Sequence, residues 1–575
     1  MKGETPMANS AITPERVFEE YERGARYKNG LGKRGLYEQN RINERFYAGD
    51  QWRGANCGDE RPLVRYNVIK RIGEYKIAAV GSTPVGVRYL AEGVPDTLAT
   101  RQKTEQMRQR IAAGDADTLG DLPREEEIAA VTQAMSDYYK ITGARVGLED
   151  CKERVLRNAY LTGTGILYTY WDEGVATGQF ADRDRAQPIR GDIACEVLDV
   201  ENVTFGDPAV EEIQRQPYLL IAQRRPVSSL RALARRYGRT AAQQALIRPD
   251  DEPVYGDDPV QEGGRKATLL TRFWKRENPD GSVTVKGIQV CRGVVVRPEW
   301  DLGIRLYPLA NFAWDRRRGC AYGDSEITWL IPNQIAINRM MTASVWAVMM
   351  MGMPIMVVNG DVVNQPVTND PGQIIPVYGS PEEVEKAIHY VAPPAFSAQY
   401  DELCSSLIVN TLNQAGVNSA VLGDMTPDNT SAILAVRQAA MMPLTMISQR
   451  FYRFIEDVAR IFAEFWVTQY GCRRLKMEDS RGVWYLPFDA DRYRDLVLSV
   501  QVQVGASSLW SENQTLQTLD NLFARQVIDS RQYLERLPDG AVPDLAGLKR
   551  EFKTADQPPE KGDTPDASDR EGTAD

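Results

Sequence analysis

The chain has 575 residues, of which 43% are apolar and 26% are charged, so it can bury the cores of several soluble modules. Its net charge of -10 argues against a protein that holds nucleic acid tightly, because such binding depends on lysine and arginine neutralising phosphates. Seven isolated cysteines predict no disulfide framework or zinc knuckle, and no apolar run is long enough to predict a membrane span.

The N-terminal part of the chain is predicted to be helical. Residues 14–77 have helix-like apolar spacing that is interrupted by Gly30, Gly32 and Gly35. A second helical stretch begins at Pro123, where three glutamates follow in the first turn and complement the helix dipole. Its apolar positions recur as far as Tyr160, which predicts one or two long helices.

A layer of strands is predicted next, around one basic helix. Short alternating runs bounded by turn residues predict strands at 165–171, 193–205, 218–224, 267–277, 283–296 and 306–314. The amphipathic helix at 228–237 carries several arginines. We interpret these as a solvated helix face or as partners in salt bridges between subunits, with a nucleic-acid patch as the open alternative. Together with the preceding helices, these strands predict an α+β body.

The segment between Arg339 and Arg437 is nearly free of positive charge. Its ninety-seven residues contain one base, Lys386, and nine acids, whereas the chain average predicts about a dozen bases. The segment is patterned as an apolar helix, a β-like passage punctuated by Pro and Gly, and a polar helix at 397–415. Burial accounts for the depletion in the first helix. Residues 397–430 hold four acids, no bases and many amides and hydroxyls, which is typical of a surface that faces phosphate without binding it.

The C-terminal part begins with the most regular element of the sequence, a long helix at 431–470 with a kink near Pro443. A strand is predicted at 496–504, followed by two helices capped by Ser511 with Gln514 and by Asp529 with Gln532. Residues 553–575 form an acidic tail predicted to be disordered. The apolar seam of the long helix is Ile447, Phe451, Phe454, Val458, Ile461 and Phe465, spaced four and three residues apart.

No pattern in the sequence predicts a catalytic centre, a cofactor or a metal site. The single histidine, His389, excludes sites that need two. The GxGxxG match at residues 30–35 follows a charged helical run rather than an apolar strand, and no GxxxxGK[ST] motif is present. The EF-hand-like loop at 115–126 lacks a ligand and is broken by Pro123. Asp489, Asp491 and Asp495 are interpreted as solvated turn carboxylates.

Several short motifs resemble those of tailed-bacteriophage portal proteins, particularly the P22-like group, over roughly residues 37–535. Those in the N-terminal half are FYAGDQW at 46–52, Arg61 with Pro62, Asn67, and ENVTFGDP at 201–208. Those farther along are YGDSEI at 322–327, Gln334 and Asn338, then GVN at 416–418 and LGD at 422–424. The chain departs from the family pattern in the 101–127 stretch, which resembles an insertion, and at Asn418, where many relatives have proline.

The resemblance implies a portal-type α+β protomer that assembles into a ring, usually of twelve subunits, around a DNA channel at one capsid vertex. Residues 1–323 would form an α/β wing, 324–352 the first stem helix, 353–396 a small β-containing clip, 397–415 the second stem helix, 416–430 the tunnel loop, 431–505 the long kinked helix and the return to the wing, 506–552 a helical crown and 553–575 the tail. Such a ring is not an enzyme. It docks the motor that packages DNA.

Two sets of residues are the predicted functional surfaces. The candidates for the DNA channel are Ser405, Asn410, Asn413, Asn418, Ser419, Val421, Leu422, Asp424 and Asp428. The candidates for docking at the clip are Asp361, Asn364, Gln365, Asn369 and Asp370. Neutral amides, hydroxyls and carboxylates leave a duplex loosely held, which suits a passive conduit.

The partners implied by the resemblance are further copies of the chain, double-stranded DNA, the terminase large subunit, the major capsid and scaffolding proteins, and a head-tail adaptor. The expected location is the virion, after assembly in the host cytoplasm, without a membrane partner. Two alternatives stay open: another virion structural protein, such as a head-tail adaptor, and a phage-encoded enzyme with residues 340–436 as its core. Nine acids beside one base fit a core poorly, because buried charges need partners.

Overall fold

The computed structural model describes residues 12–53, 63–92, 124–180, 188–250, 265–279, 281–352, 355–359, 361, 363, 376–377, 379–391, 398–417, 430–479, 482–494, 496–504 and 509–537. The fold is a mixture of helices and strands, in agreement with the predicted α+β class. Residues 115–123 of the EF-hand-like loop and Asp495 lie outside the described residues. The rest of the loop, residues 124–126, belongs to the helix that follows it.

The helices, in chain order, are α1 (Pro14–Asn29), α2 (Leu36–Ala48), α3 (Val68–Gly81), α4 (Arg124–Val146), α5 (Leu148–Thr162), α6 (Val227–Arg236), α7 (Ala241–Ala245), α8 (Ile327–Gly352), α9 (Pro381–Glu385), α10 (Ala398–Gln414), α11 (Thr430–Gln469), α12 (Ala490–Tyr493), α13 (Leu509–Ala524) and α14 (Ser530–Arg536). The strands are β1 (Val85–Ala91), β2 (Thr164–Phe180), β3 (Pro188–Leu198), β4 (Val203–Phe205), β5 (Leu219–Pro226), β6 (Lys266–Glu277), β7 (Val283–Cys291), β8 (Val294–Asp301), β9 (Leu309–Ala313), β10 (Ile355–Val358), β11 (Ile388–Val391), β12 (Cys472–Asp479), β13 (Gly482–Asp489) and β14 (Leu498–Val504). Within the described ranges, no helix is long and apolar enough to cross a bilayer.

The chain divides into two compact units. The first comprises residues 1–81, 143–178 and 189–470, and the second comprises residues 82–142, 179–188 and 471–575. The predicted segment 1–323 is therefore shared between the units, because two internal stretches cluster with the C-terminal residues. Local helix and strand patterns cannot show such a division, since it depends on contacts between distant parts of the chain.

The first unit contains a five-stranded sheet in the order β4-β5-β6-β7-β8 that is covered on both faces. Leu270 of β6 packs in a cluster with Val17 of α1, whereas the next residue toward the N-terminus, Leu269, packs with Leu230 of α6. Successive side chains of a strand point to opposite faces, so one strand serves both clusters. The predicted strand 283–296 is in fact two, because the chain turns at Gly293, where φ is +76°.

The long helix α11 packs on β9, the edge strand of the three-stranded sheet β3-β2-β9. The rings of Phe312 on β9 and Phe451 on α11 meet edge to face with centroids 5.5 Å apart. Pro443 lies inside the helix, as predicted. The six seam residues are all buried, which confirms the apolar spacing: Ile447, Phe451, Phe454, Val458, Ile461 and Phe465.

The second unit contains an antiparallel pair of β1 and β14 and a hairpin of β12 and β13. The hairpin was not predicted. The buried Glu127 on α4 accepts hydrogen bonds from Arg492 and from the hydroxyl of Tyr493. Asp529 caps α14 as predicted. The predicted cap at Ser511 is wrong, because α13 already begins at Leu509 and Ser511 lies inside it.

Candidate functional site

The first half of α8 is fixed to the N-terminal helices by a buried amide, Gln334. Its Oε1 atom accepts hydrogen bonds from the backbone N–H groups of Val68 and Ile69, at 3.0 and 3.3 Å. These N–H groups belong to the first turn of α3, which has no partners for them within its own helix. Gln334 therefore caps α3 from a position 266 residues away in the chain.

A second buried amide, Asn338, extends this network by one helical turn. Gln334 donates from Nε2 to the Tyr66 carbonyl oxygen at 2.6 Å and to Asn338 Oδ1 at 2.9 Å. Asn338 in turn donates to Gln51 Oε1 at 2.5 Å and accepts from the Tyr66 N–H at 3.1 Å. Both amides are almost fully buried, so the network fixes the first half of α8 against α3 and the segment before it.

The entry to α8 is held by a carboxylate that is mostly buried. Glu326 accepts from Lys76 Nζ at 2.6 Å and from Trp314 Nε1 at 3.2 Å, so each of its oxygens has a partner. The Ser325 hydroxyl donates to the carbonyl of Tyr160 at 2.6 Å. These contacts tie the start of the helix to α3, to α5 and to the residue that follows β9. The sequence predicts that Asp324 or Ser325 caps this helix, and the Ser325 hydroxyl does accept from the N–H of Ile327 at 3.2 Å.

The second half of α8 differs from the first because its apolar side chains face solvent. Val348 is 62% exposed, and Val345 and Met349 are also exposed. The neighbouring α10 exposes Leu403 and Val409. The sequence predicts that this helix lacks charges because it packs against neighbours. Within this chain such burial is found near its N-terminal end. Apolar surface of this kind is typical of contacts with another chain.

The helix α10 packs on α8 through one side only. Cys404, Thr411, Leu412 and Ala415, which recur at helical spacing, are buried. Asn333 of α8 donates from Nδ2 to Thr411 Oγ1 at 3.2 Å. The opposite side of α10 is exposed in the part of the chain that the structure describes.

That opposite side carries two of the predicted channel residues, and a third lies at the edge of the buried stripe. Asn410 and Asn413 are exposed opposite the buried stripe, and Ser405 is exposed at its edge. The helix contains no lysine or arginine, and its charged residues are Asp401 and Glu402. The remaining candidates, Asn418, Ser419, Val421, Leu422, Asp424 and Asp428, lie outside the described residues.

The chain leaves α10 through a glycine-based cap. Gly416 has a φ of +72°, and the N–H of Val417 donates to the carbonyl of Leu412 at 2.9 Å, while the N–H of Gly416 donates to that of Asn413. This is the Schellman arrangement, in which the left-handed residue ends the helix. Val417 is fully buried, so the start of the predicted tunnel loop is fixed to the unit.

The predicted clip contains a two-stranded antiparallel sheet of β10 and β11 and the short helix α9. Its small apolar cluster joins Val363 and Ala387. Asp361 is exposed, and its N–H donates to Asn359 Oδ1 at 3.1 Å. The other docking candidates, Asn364, Gln365, Asn369 and Asp370, lie outside the described residues.

Two buried titratable groups of opposite type lie away from α10, in a cluster that sequence reasoning missed. Burial lowers the pKa of Lys28 to about 7, and burial raises the pKa of Glu201 to about 7. One signal could have revealed Lys28: with Val17, Tyr21 and Gly24 it continues the buried stripe of α1 at spacings of four, three and four residues. The cluster is enclosed by α1, α2 and the segment before β4.

The described ranges contain no group of three or more His, Cys, Asp and Glu side chains that could hold a metal ion. No protein-family model matches the chain, and no curated protein is significantly similar to it. The functional interpretation therefore depends on α8, α10 and the residues that they expose.

Proposed function

We propose that the chain is the subunit of a portal, the ring-shaped channel at one capsid vertex through which viral DNA is packaged and ejected. The observation that carries the proposal is the exposed, base-free side of α10. Asn410 and Asn413 offer amide groups there, and the helix has acids but no bases. The portal-like motifs of the sequence are consistent with the same role.

The absence of bases on α10 favours a conduit for DNA over a protein that binds DNA tightly. Double-stranded DNA carries one negative charge per about 1.7 Å of its axis, so a channel lined with lysine and arginine would hold it at many phosphates. Amides and hydroxyls hydrate the surface without fixing the duplex. Carboxylates repel the phosphates weakly across water. A surface of this kind lets DNA slide.

The two halves of α8 support assembly into a ring. Gln334 and Asn338 hold its first half rigidly, while its second half exposes Val345, Val348 and Met349. In a closed ring, each subunit buries such a surface against the next one. Helices anchored at one end and apolar at the other fit the stem of a portal.

The proposal includes the partners that a portal needs. The segment 353–396, with its small sheet, would dock the terminase large subunit during packaging and the head-tail adaptor afterwards. The ring would lie in the virion among major capsid and scaffolding proteins, usually as twelve subunits. It would be a passive platform, with the motor supplying ATP hydrolysis.

Imaging of the purified chain by negative stain tests the proposal. We expect rings with a central hole of about the width of a DNA duplex. A head-tail adaptor would also form a ring, but such a ring would bind assembled portal vertices and would not bind terminase. A monomer at every concentration, with or without scaffolding protein, would contradict the proposal.

A further inference from the structure

A small aromatic cavity lies between β2, β8 and the end of α11 in the first unit. Its volume is about 250 Å³. Ligand pockets usually measure roughly 300–1,000 Å³, so this one has room for a single planar ring system, and a larger ligand would extend out of its opening. The side chains that define it are Tyr168, Tyr170, Phe273, Arg297 and Trp300.

The rings of the cavity present flat faces. Tyr168 and Tyr170, two residues apart on β2, are stacked with centroids 5.2 Å apart and planes inclined by 25°. Phe273 meets Trp300 edge to face at 6.2 Å. Such surfaces bind planar heteroaromatic rings by stacking, and stacking tolerates any base because every base has a π face.

Arg297 supplies a cation at the same place. Its guanidinium lies 3.8 Å from the centroid of Trp300 and 4.6 Å from that of Tyr237, so the two rings fix its plane. Among the residues that the structure describes, no carboxylate forms an ion pair with it. A guanidinium has five N–H donors in a rigid fork that matches the oxygens of a phosphate. Its donors are thus available to an anion.

The acids that line the cavity are already engaged. Glu173 forms an ion pair with Arg236, and Asp301 accepts from Lys286 at 2.6 Å. Within the described residues, Arg297 is therefore the charged group of the cavity that forms no ion pair.

Two further arginines act on groups of the cavity. Arg225 is close enough to Tyr168 and Tyr170 to oppose the rise in pKa that burial causes in both, whereas Glu196 adds to that rise. Arg236 contributes to lowering the pKa of Arg297, after burial, which is the main cause, whereas Glu173 acts to raise it. Charges of both signs therefore lie around the cavity.

We propose that this cavity is a nucleotide site, in which the base stacks against Tyr168 and Tyr170 and the phosphate is bound by Arg297. The ligand is either a free nucleotide or one unstacked nucleotide of a single strand, because both present the same ring and phosphate. The site is separate from the proposed channel surface on α10, and it does not depend on the portal function.

Titration calorimetry on the full-length chain tests the site with three probes: thymidine 5′-monophosphate, a short oligothymidylate and inorganic phosphate. We expect saturable binding of at least one of the two thymidine probes and weaker binding of phosphate alone. Tighter binding of the monophosphate identifies the free nucleotide as the ligand, and tighter binding of the oligonucleotide identifies a strand.

Arg297→Gln should weaken binding roughly tenfold or more, as expected for a hydrogen-bonded charge pair. Arg235→Gln is the matched control, because it removes the same charge from an exposed position on α6 and should leave affinity unchanged. If Arg297→Gln does not fold, Arg297→Lys keeps the charge without the planar fork and should bind with intermediate affinity.

Three results would overturn the nucleotide site. One is no saturable binding of either thymidine probe at millimolar concentration. Another is phosphate binding as tightly as the nucleotide, which would leave the rings without a role. The third is equal loss of affinity in the Arg297 and Arg235 variants, which would indicate a diffuse effect of charge.

Discussion

The ammonium group of Lys28 donates to the backbone carbonyl of Glu201 at 2.7 Å, and both side chains are buried. Lys28 also donates to the carbonyl of Val200, and its Nζ atom lies 5.7 Å from the ring centroids of both Tyr37 and Tyr322. The Glu201 carboxylate accepts from Asn40 at 2.5 Å. A basic and an acidic group are thus buried in one cluster, where the charged form of each loses hydration that its partners replace only in part.

Lys28→Met should change the pH dependence of stability above neutral pH. Burial lowers the pKa of Lys28 from 10.5 to about 7, so between these values the unfolded chain binds a proton that the folded chain lacks. The wild type therefore gains stability relative to the variant as pH rises through this window, by at most about 1.4 kcal/mol per pH unit. Urea unfolding of both proteins across the window measures the difference, and a flat difference would contradict the assignment.

Glu201→Gln should produce the opposite slope at lower pH. Burial raises the pKa of Glu201 from 4.5 to about 7, so in this range the folded chain binds a proton that the unfolded chain lacks. The wild type should lose stability relative to Glu201→Gln as pH rises from 4.5 to 7. Unfolding curves at several pH values in that range provide the measurement. Slopes of the same sign in the two variants would rule out this account of the cluster.

Gln334→Ala should destabilise the first unit by about 3 kcal/mol. The substitution leaves the N–H groups of Val68 and Ile69 and the carbonyl of Tyr66 without their partner, and each such loss costs about 1–3 kcal/mol. The matched control is Asn333→Ala, whose side chain is half-buried and bonds only to polar groups of α10. We expect that control to cost less than about 1 kcal/mol. Equal losses in urea unfolding would remove the anchoring role of Gln334.

The long elements of the fold were predictable because their apolar period extends over many residues. In α11 the six apolar seam positions recur over five helical turns, so every turn independently indicates a helix with one buried side. The hairpin of β12 and β13 was missed because charged residues such as Arg473, Arg474 and Lys476 obscure its alternation. The division into two units could not be predicted, because it depends on contacts such as those between β1 and β14.

For the proposed channel surface, composition indicated the helix but not its exposed side. Thr411 and Asn413 are both small polar residues, yet Thr411 is buried against α8 and Asn413 is exposed. Only the packing partner distinguishes them. The amides of α8 illustrate the same limit: Gln334 and Asn338 were identified by resemblance, but their hydrogen bonds to α3 and to Gln51 join residues more than 260 positions apart.

Asn413→Lys should impair passage of DNA without affecting the fold. The residue is exposed on the base-free side of α10, so the free energy of unfolding should change by no more than about 0.5 kcal/mol. In a ring, every subunit would add one cation at the same height of the channel, and these cations would bind phosphates and slow the duplex. The yield of DNA-filled particles and the rate of ejection are the measurements. Asn418→Lys and Asp424→Lys, in the predicted tunnel loop, should act in the same direction.

Ala232→Lys is the control for Asn413→Lys, since it adds the same charge at an exposed position on α6. It should package normally. Imaging the Asn413→Lys protein shows whether it still forms rings, and this distinguishes two outcomes that would contradict the prediction. If Asn413→Lys forms normal rings that package and eject normally, α10 does not face the DNA. If it prevents ring formation, the exposed side of α10 is a contact between subunits, and the channel surface has to lie elsewhere on the chain.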